Sequence, residues 1–324
     1  MIFCNVNIPY YGKGKFLYSA LIGVLKQSIS DISLEITIFD DYAKEPAKDH
    51  IMILPENCYH IIRNNSNIGM IANWNRCLQY GDKEFVHILH GDDLIESGFY
   101  SKVLYIFDKN PEVGLVHTNC LPLYSRKTSS CFWGALIRRR PKEDNEIKFF
   151  PAGDDAVRHT MGGIACSSAV LRRKAIFETG LFRDDLPYSA DEEYWGRLAK
   201  KWAVAYIPEQ LSIYRYHSNN HQLNTWLKTD FWHMFIKTRM ARLCHLTSLD
   251  DKDIENHLSE LSHLAVFIAH KLLAAGYPNH AESYLECAFN TYPWIINDLW
   301  YRRIQKWVCQ GEKGKVKAWL RSPH

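Results

Sequence analysis

Between residues 2 and 118, short apolar runs alternate with amphipathic stretches, and this alternation limits the possible fold more than any other feature of the chain. Residues 2–7, 34–39, 60–63, 85–89 and 114–118 each read as strands. Helical periodicity between them places Leu17, Leu21, Val24 and Leu25 on one face, and Met70, Trp74, Cys77 and Leu78 on another. Further helices are expected near 42–52 and 98–109. Strands separated by amphipathic stretches of about 10–12 residues imply crossover connections, which predicts an α/β fold with a mainly parallel central sheet and helices on both faces.

After residue 121 the pattern loosens. The Ser/Arg/Lys-rich segment 125–148 reads as a mobile surface stretch. Strand-like GIACSSAVL follows, then helices over 172–179 and 192–201, a strand over 204–207 and a last strand in LSIYRYH. Beyond about residue 220 the periodicity is helical, which divides the chain into an α/β domain over 1–220 and a helical extension over 221–324.

Of the 324 residues, 47% are apolar and 23% charged, the balance of a folded globular protein, and a net charge of +3 gives no reason to expect a nucleic-acid partner. Nine scattered cysteines without a CxxC pair argue for reduced thiols and against a zinc module. The opening MIFCNVNIP has no basic leader, and LSHLAVFIAHKLLAAG is interrupted by His263, His270 and Lys271. The expectation is a cytoplasmic protein without a membrane span. From Trp300 onward, however, seven Lys/Arg face one acid, Glu312, and a second basic knot lies at Arg138, Arg139 and Arg140. Trp300, Ile304, Trp307 and Val308 share a helical face largely free of Arg302, Arg303 and Lys306. Such a helix either docks on its own domain or lies on an anionic membrane.

Three acidic sites fall where an open α/β sheet binds ligands, past the carboxyl ends of strands. They are Asp40-Asp41, Asp92-Asp93 and the run Asp191-Glu192-Glu193. Each has a plain structural reading: an Asp pair at a strand end serves as a turn or cap, and Ser189 with Glu192 fits a capping box. Each also has a chemical one, because adjacent aspartates supply hard oxygens for a divalent cation that carries a diphosphate.

Taken together, these segments resemble family 2 glycosyltransferases of the GT-A fold. The resemblance covers about residues 3–220 and rests on motifs in the family's order. IPYYGKGKFLYSALIGVLKQS is similar to the opening strand and first helix, ITIFDDYAKE to the strand whose aspartate reads the base, and NIGMIANWNRCL to the segment beside the nucleotide. HGDDLI resembles the metal-binding Asp-x-Asp, YSADEEYWGRLAKK the acidic helix start with the catalytic base, and LSIYRYHSNN the closing Arg-x-His loop.

The resemblance implies an inverting transfer of sugar from a nucleoside-diphosphate-sugar to a saccharide acceptor in surface-glycan synthesis, such as lipopolysaccharide, O-antigen or capsule. That acceptor would be lipid-linked if the basic C-terminus meets the cytoplasmic membrane face. It implies Asp191 as base, with Arg197 the family's arginine six residues on, and Mn²⁺ or Mg²⁺ held by Asp92, Asp93 and His217. Pro9, Tyr11, Asp40 with Asp41, Asn67, Gly69 and Asn73 are assigned to the nucleotide-sugar, as are Asp92 and Arg215. MGGIACSS should border the acceptor cleft, with Trp74 and Trp195 as packing residues.

Two departures stand out. His90 occupies the place of an acid, and Tyr42-Ala43 replaces the usual Gly-Ser. Rival readings are a nucleotidyltransferase, favoured by Gly12-Lys13-Gly14-Lys15 after the first strand, and a sugar-nucleotide binder without catalysis, which would not need Asp191. A nicotinamide dehydrogenase lacks its GxGxxG here.

Overall fold

The computed structural model describes residues 1–12, 14–27, 31–124, 146–216 and 225–320. The basic knot at 138–140 and His217 lie outside these residues, as do Lys13 and most of the 125–148 stretch.

The chain opens with the expected alternation. In order come β1 (Ile2–Tyr10), α1 (Gly14–Leu25), β2 (Ile32–Asp40), α2 (Ala47–Ile51), β3 (His60–Arg63), α3 (Met70–Gln79), β4 (Phe85–Ile88), β5 (Leu94–Ile95) and α4 (Phe99–Lys109). There follow β6 (Val113–Tyr124), β7 (Lys148–Phe150), α5 (Asp154–Thr160), β8 (Ala169–Arg172), α6 (Arg173–Thr179), α7 (Ala190–Ala199) and β9 (Ala203–Tyr216). The nine strands of the described residues form one sheet of order β3-β2-β1-β4-β8-β6-β9-β5, with β7 on β9.

The first half is parallel throughout, β1 pairing with both β2 and β4, and β2 with β3. The parallel expectation stops at β4. Strand β8 inserts antiparallel between β4 and β6, and β5 and β7 pair antiparallel with β9. The sheet is therefore mixed. LSIYRYH is no separate strand but the end of the 14-residue β9, and GIACSSAVL is a 3₁₀ turn at Cys166–Ser168 followed by β8.

Apolar layers cover the sheet. Leu17, Leu21 and Val24 of α1 pack with Phe99, Val103 and Phe107 of α4 in one buried cluster, while Cys77 and Leu78 of α3 join Trp195 and Leu198 of α7 in another. Both clusters consist of residues with almost no exposed area, and burial of apolar surface on this scale is the main term that holds such a domain together. Helices on two sides leave the carboxyl ends of β1, β2 and β4 uncovered by regular structure, which is where turns carrying polar groups can meet.

Contacts divide the chain into two compact units. The sheet unit comprises Met1–Leu123, Trp133–Tyr216 and Thr238–Thr247, so the last turns of α8 (Phe231–Leu243) belong to it. The helical unit is built on α9 (Asp251–Ala274), α10 (Pro278–Thr291), α11 (Leu299–Cys309) and α12 (Glu312–Leu320). A capping box between Asp250 and Asp253 starts α9. Within this unit α11 buries Tyr301, Ile304 and Trp307 and exposes Arg302, Arg303 and Lys306. Its apolar stripe is docked, with His270 of α9 in ring contact with Trp300 and Trp307. Among the described residues no helix is long and apolar enough to cross a membrane.

Candidate active site

The first acidic pair sits where β2 leaves the sheet. Tyr10 of β1 and Arg63 of β3 flank Asp40 in register. The Asp40 carboxylate is 1% exposed and accepts from the backbone N–H of Ala43 (2.8 Å) and Ala47 (2.9 Å) and from Arg63 Nη1 (2.6 Å). It ties the strand end to the start of α2 and does not line the cavity described below. Asp41 does line it. Successive strand residues point to opposite faces, so of two adjacent acids only one can enter a given cleft. Asp41 accepts from Asn64 Nδ2 (2.7 Å) and from the N–H groups of Ile68 (2.8 Å) and Gly69 (3.0 Å), which shapes the 64–69 turn. Gly69 holds φ +88°, a conformation that disfavours any side chain, and its N–H also donates to Asn67 Oδ1 at 2.8 Å. Asn73 is anchored to the Phe39 carbonyl (3.0 Å) and closes this wall.

The second pair follows β4. His90 stacks on Trp74, ring centroids 4.7 Å apart, so Trp74, which packs against the core as expected, also forms a cavity wall. Asp92 faces the cavity, while Asp93 turns inward and accepts from Ser167 Oγ (2.6 Å) and the Arg215 N–H (3.1 Å). Burial, with the Asp92 charge beside it, pushes the Asp93 carboxyl well above the usual carboxylate range. Burial also pulls the His90 imidazole below its ordinary value, an effect that Asp92 opposes, so the ring is neutral near pH 7. The Arg215 guanidinium lies over Phe16 at 5.1 Å and, like Asp40 and Asp93, is outside the cavity lining.

Do these groups suit a cation? His90, Asp92 and Asp93 each offer a ligand atom, and all three atoms lie within 4.8 Å of one another. His90 Nε2 is buried with no hydrogen-bond partner, which is what a ligand nitrogen awaiting a metal looks like. A neutral imidazole with two carboxylates is a donor set that accepts a divalent ion. The residues fit. His90 thus offers a donor nitrogen in the position where an acid was expected.

The third acidic run opens α7. Ser189 does not cap it: the residue is left-handed (φ 57°) and its side chain makes no capping bond. Glu192 and Glu193 stand in the first turn of α7, and both side chains are also charge-paired. Glu192 is paired with Arg239 (3.0 Å) and Arg242 (2.8 Å) of α8, and Glu193 with Arg197 (2.9 Å) and His245 (2.9 Å). The partners of Glu192 come from α8, while Glu193 is held by Arg197 within α7 and by His245 beyond it, because buried carboxylates need charge compensation. Asp191 faces the cavity, which Glu192 also lines, and burial and the adjacent Glu192 charge push its carboxyl up to about 7. Trp195 is packed in the core, its Nε1–H donating to the Ile164 carbonyl at 3.3 Å.

One cavity of about 620 Å³ therefore gathers Pro9, Tyr11, Asp41, Asn67, Gly69 and Asn73 on one side with His90, Asp92 and Asp191. The Gly162–Cys166 part of MGGIACSS lines it as well. Sequence pattern does not flag Trp74, Ser167, Arg239 or Arg242 as site residues. Their roles arise from contacts between distant segments that no local periodicity records.

The model of "Glycosyl transferase family 2" matches residues 6–179. An uncharacterized Mycobacterium tuberculosis protein, MT1568, is 24% identical over 221 residues, covering 65% of this chain and 66% of that protein. The Bacillus subtilis minor teichoic acid biosynthesis protein GgaB is 22% identical over 110 residues, 33% of this chain and 12% of its own. The matches thus span less than two thirds of either relative. Among solved structures, S. aureus TarS 1-349 with UDP-GlcNAc superposes with TM-score 0.62 at 13% identity, over 98% of this chain and 89% of that one. GalNAc-T7 with UDP, GalNAc and Mn²⁺ gives 0.56 at 14% identity, over 93% and 57%. The fold is GT-A, and the chain belongs to glycosyl transferase family 2.

Proposed function

We propose that this protein moves a sugar from a nucleoside-diphosphate-sugar to an acceptor hydroxyl, with inversion at the anomeric carbon, in the synthesis of a cell-surface glycan. The observation that carries this reading is the shared cavity, in which the Asp92 side chain and the Asp191 carboxyl face the same space as the Asp41–Gly69 turn.

The turn has the groups to receive the nucleoside, with Pro9, Tyr11 and Asn67 beside it. His90, Asp92 and Asp93, joined by His217 outside the described residues, would hold Mn²⁺ or Mg²⁺, which when bound offsets the charge on the leaving diphosphate. Asp191 takes the acceptor's proton onto a carboxylate oxygen as that hydroxyl oxygen bonds to the anomeric carbon. The bond from that carbon to the diphosphate oxygen breaks, and its electron pair leaves with the diphosphate. A base whose pKa is close to the working pH is well matched to this proton transfer.

GgaB's teichoic acid role supports a surface glycan as product, and the UDP-GlcNAc bound to TarS makes UDP-sugars the first donors to test. The exposed Arg302, Arg303 and Lys306 are the face proposed to meet the cytoplasmic membrane leaflet, where a lipid-linked acceptor would be presented.

A thermal-shift series with UDP-, dTDP- and GDP-sugars, with and without Mn²⁺, tests the proposal, because a ligand of the native state raises the unfolding temperature by mass action. One class of nucleotide-sugar should stabilise the protein, and more so with Mn²⁺. No response to any of them would remove the reading.

A further inference from the structure

The helix that reads as the start of the extension reaches back to the acids of α7. Four residues in and just past its final turns bond to segments around Asp191. Thr238 Oγ1 donates to the Tyr188 carbonyl (2.8 Å), Arg239 and Arg242 grip the two Glu192 oxygens, and His245 is hydrogen-bonded to Glu193 (2.9 Å). Arg242 Nη1 also donates to the Met161 carbonyl (3.3 Å), directly before the Gly162–Cys166 wall of the cavity. Gly196 permits this approach, since a Cβ there would lie 3.3 Å from the His245 ring and 3.5 Å from Arg242 Cγ. Arg242 is 2% exposed, Arg239 9% and Glu192 3%, so the cluster is held away from water.

We propose that Arg239 and Arg242 are positioning residues for glycosyl transfer: by gripping Glu192 they fix the first turn of α7, and through it the Asp191 carboxylate, against the cavity. This rests on Asp191 being the base. Two buried arginines on a single carboxylate exceed what ion pairing alone requires. The groups that bear on Asp191 electrostatically are Glu192, which raises its pKa, and Arg239, which lowers it; the Cys166 thiol in turn feels the Asp191 charge. The pair therefore sets where the carboxylate points, and Arg239 also lowers the pH at which it ionises.

The test uses the full chain, UDP-GlcNAc with Mn²⁺ as probe, and UDP release as readout across pH. Arg239→Gln should move the acid limb of the rate profile upward by about half a pH unit, and Glu192→Gln should move it downward, since one removes a positive and the other a negative neighbour. Arg242→Gln should lower kcat by about 10-fold or more with little change in donor KM, as expected for a misdirected base, while Arg242→Lys keeps the charge and should recover most of the loss. Unmoved profiles in both charge variants, or equal losses in Arg242→Gln and Arg242→Lys, would overturn the assignment.

Should the wild type release no UDP, the proposed function fails on this donor and the clamp is still read from stability. The difference in urea midpoint between wild type and Asp191→Asn is then followed with pH, with and without Arg239→Gln. The pH at which that difference levels off should rise in the Arg239→Gln background. No change would overturn the clamp.

Discussion

Replacing Asp191 by Asn removes a proton acceptor and almost no volume, and two opposite effects follow from the same cause. The carboxyl is pushed from its ordinary 3.8 to about 7 by burial and by Glu192, so the folded protein binds this proton more tightly than the unfolded chain does. The stability from that tight proton is complete below pH 4 and is lost progressively as pH rises to about 7; above 7 the ionised carboxylate is a constant cost. At about 1.4 kcal/mol per pH unit, full enclosure would make that cost on the order of 4 kcal/mol. Asp191 faces an open cavity, and solvent screening there reduces it to about 1–2 kcal/mol. The amide of the Asp191→Asn variant carries no charge at any pH, so the variant should be more stable than wild type, with a gap that grows from pH 4 to 7 and is flat beyond. Urea unfolding at pH 4, 6 and 8 measures this. Transfer should fall in the same variant by about 10²–10⁴-fold, the usual worth of a general base, with donor affinity nearly unchanged. A stability gap over wild type no larger at pH 8 than at pH 4, or a variant that still transfers sugar near the wild-type rate, would refute the assignment of Asp191 as a raised-pKa base.

Three further outcomes are expected. In the wild type, kcat/KM should rise with pH through about 7 as Asp191 loses its proton, and an acid limb near 4 in the rate profile would contradict the raised value. Asp40→Asn should lower stability by about 2 kcal/mol in urea unfolding, because Arg63 and two N–H groups lose a charged acceptor, whereas Asp41→Asn should weaken nucleotide binding by calorimetry. Gly69→Ala meets no atom within 4 Å but must hold φ +88°, so a stability loss of about 1 kcal/mol is expected, along with weaker nucleotide binding.

Local pattern reveals the parallel half of the sheet because strands and helices alternate along the chain there and each carries its own periodicity. Residues 60–63 read as a strand and form β3, and the Met70, Cys77 and Leu78 stripe marks α3. The antiparallel half is not legible, since β8 enters between β4 and β6 from far along the chain and short strands such as β5 carry almost no periodic signal. The site divides the same way. Acids at strand ends flag the right turns, but whether Asp40 or Asp41 enters the cavity depends on one residue of strand parity, decided by Arg63 across the sheet. Ser189 and Glu192 match a capping box in letters only, because Arg239 and Arg242, about fifty residues on, supply a stronger partner than the helix terminus. Those arginines sit in a segment whose helical period resembles that of the extension, and nothing local separates the two.

The proposed grip of His90, Asp92 and Asp93 on a cation, and through it on a nucleoside diphosphate, is tested most directly by titrating UDP into the protein in a calorimeter with Mn²⁺ and after chelation. Tight binding should require Mn²⁺ in the wild type, weaken by about 10-fold or more in Asp92→Asn, and persist in Asp191→Asn. Equal UDP affinity with and without the metal, unaffected by Asp92→Asn, would contradict it.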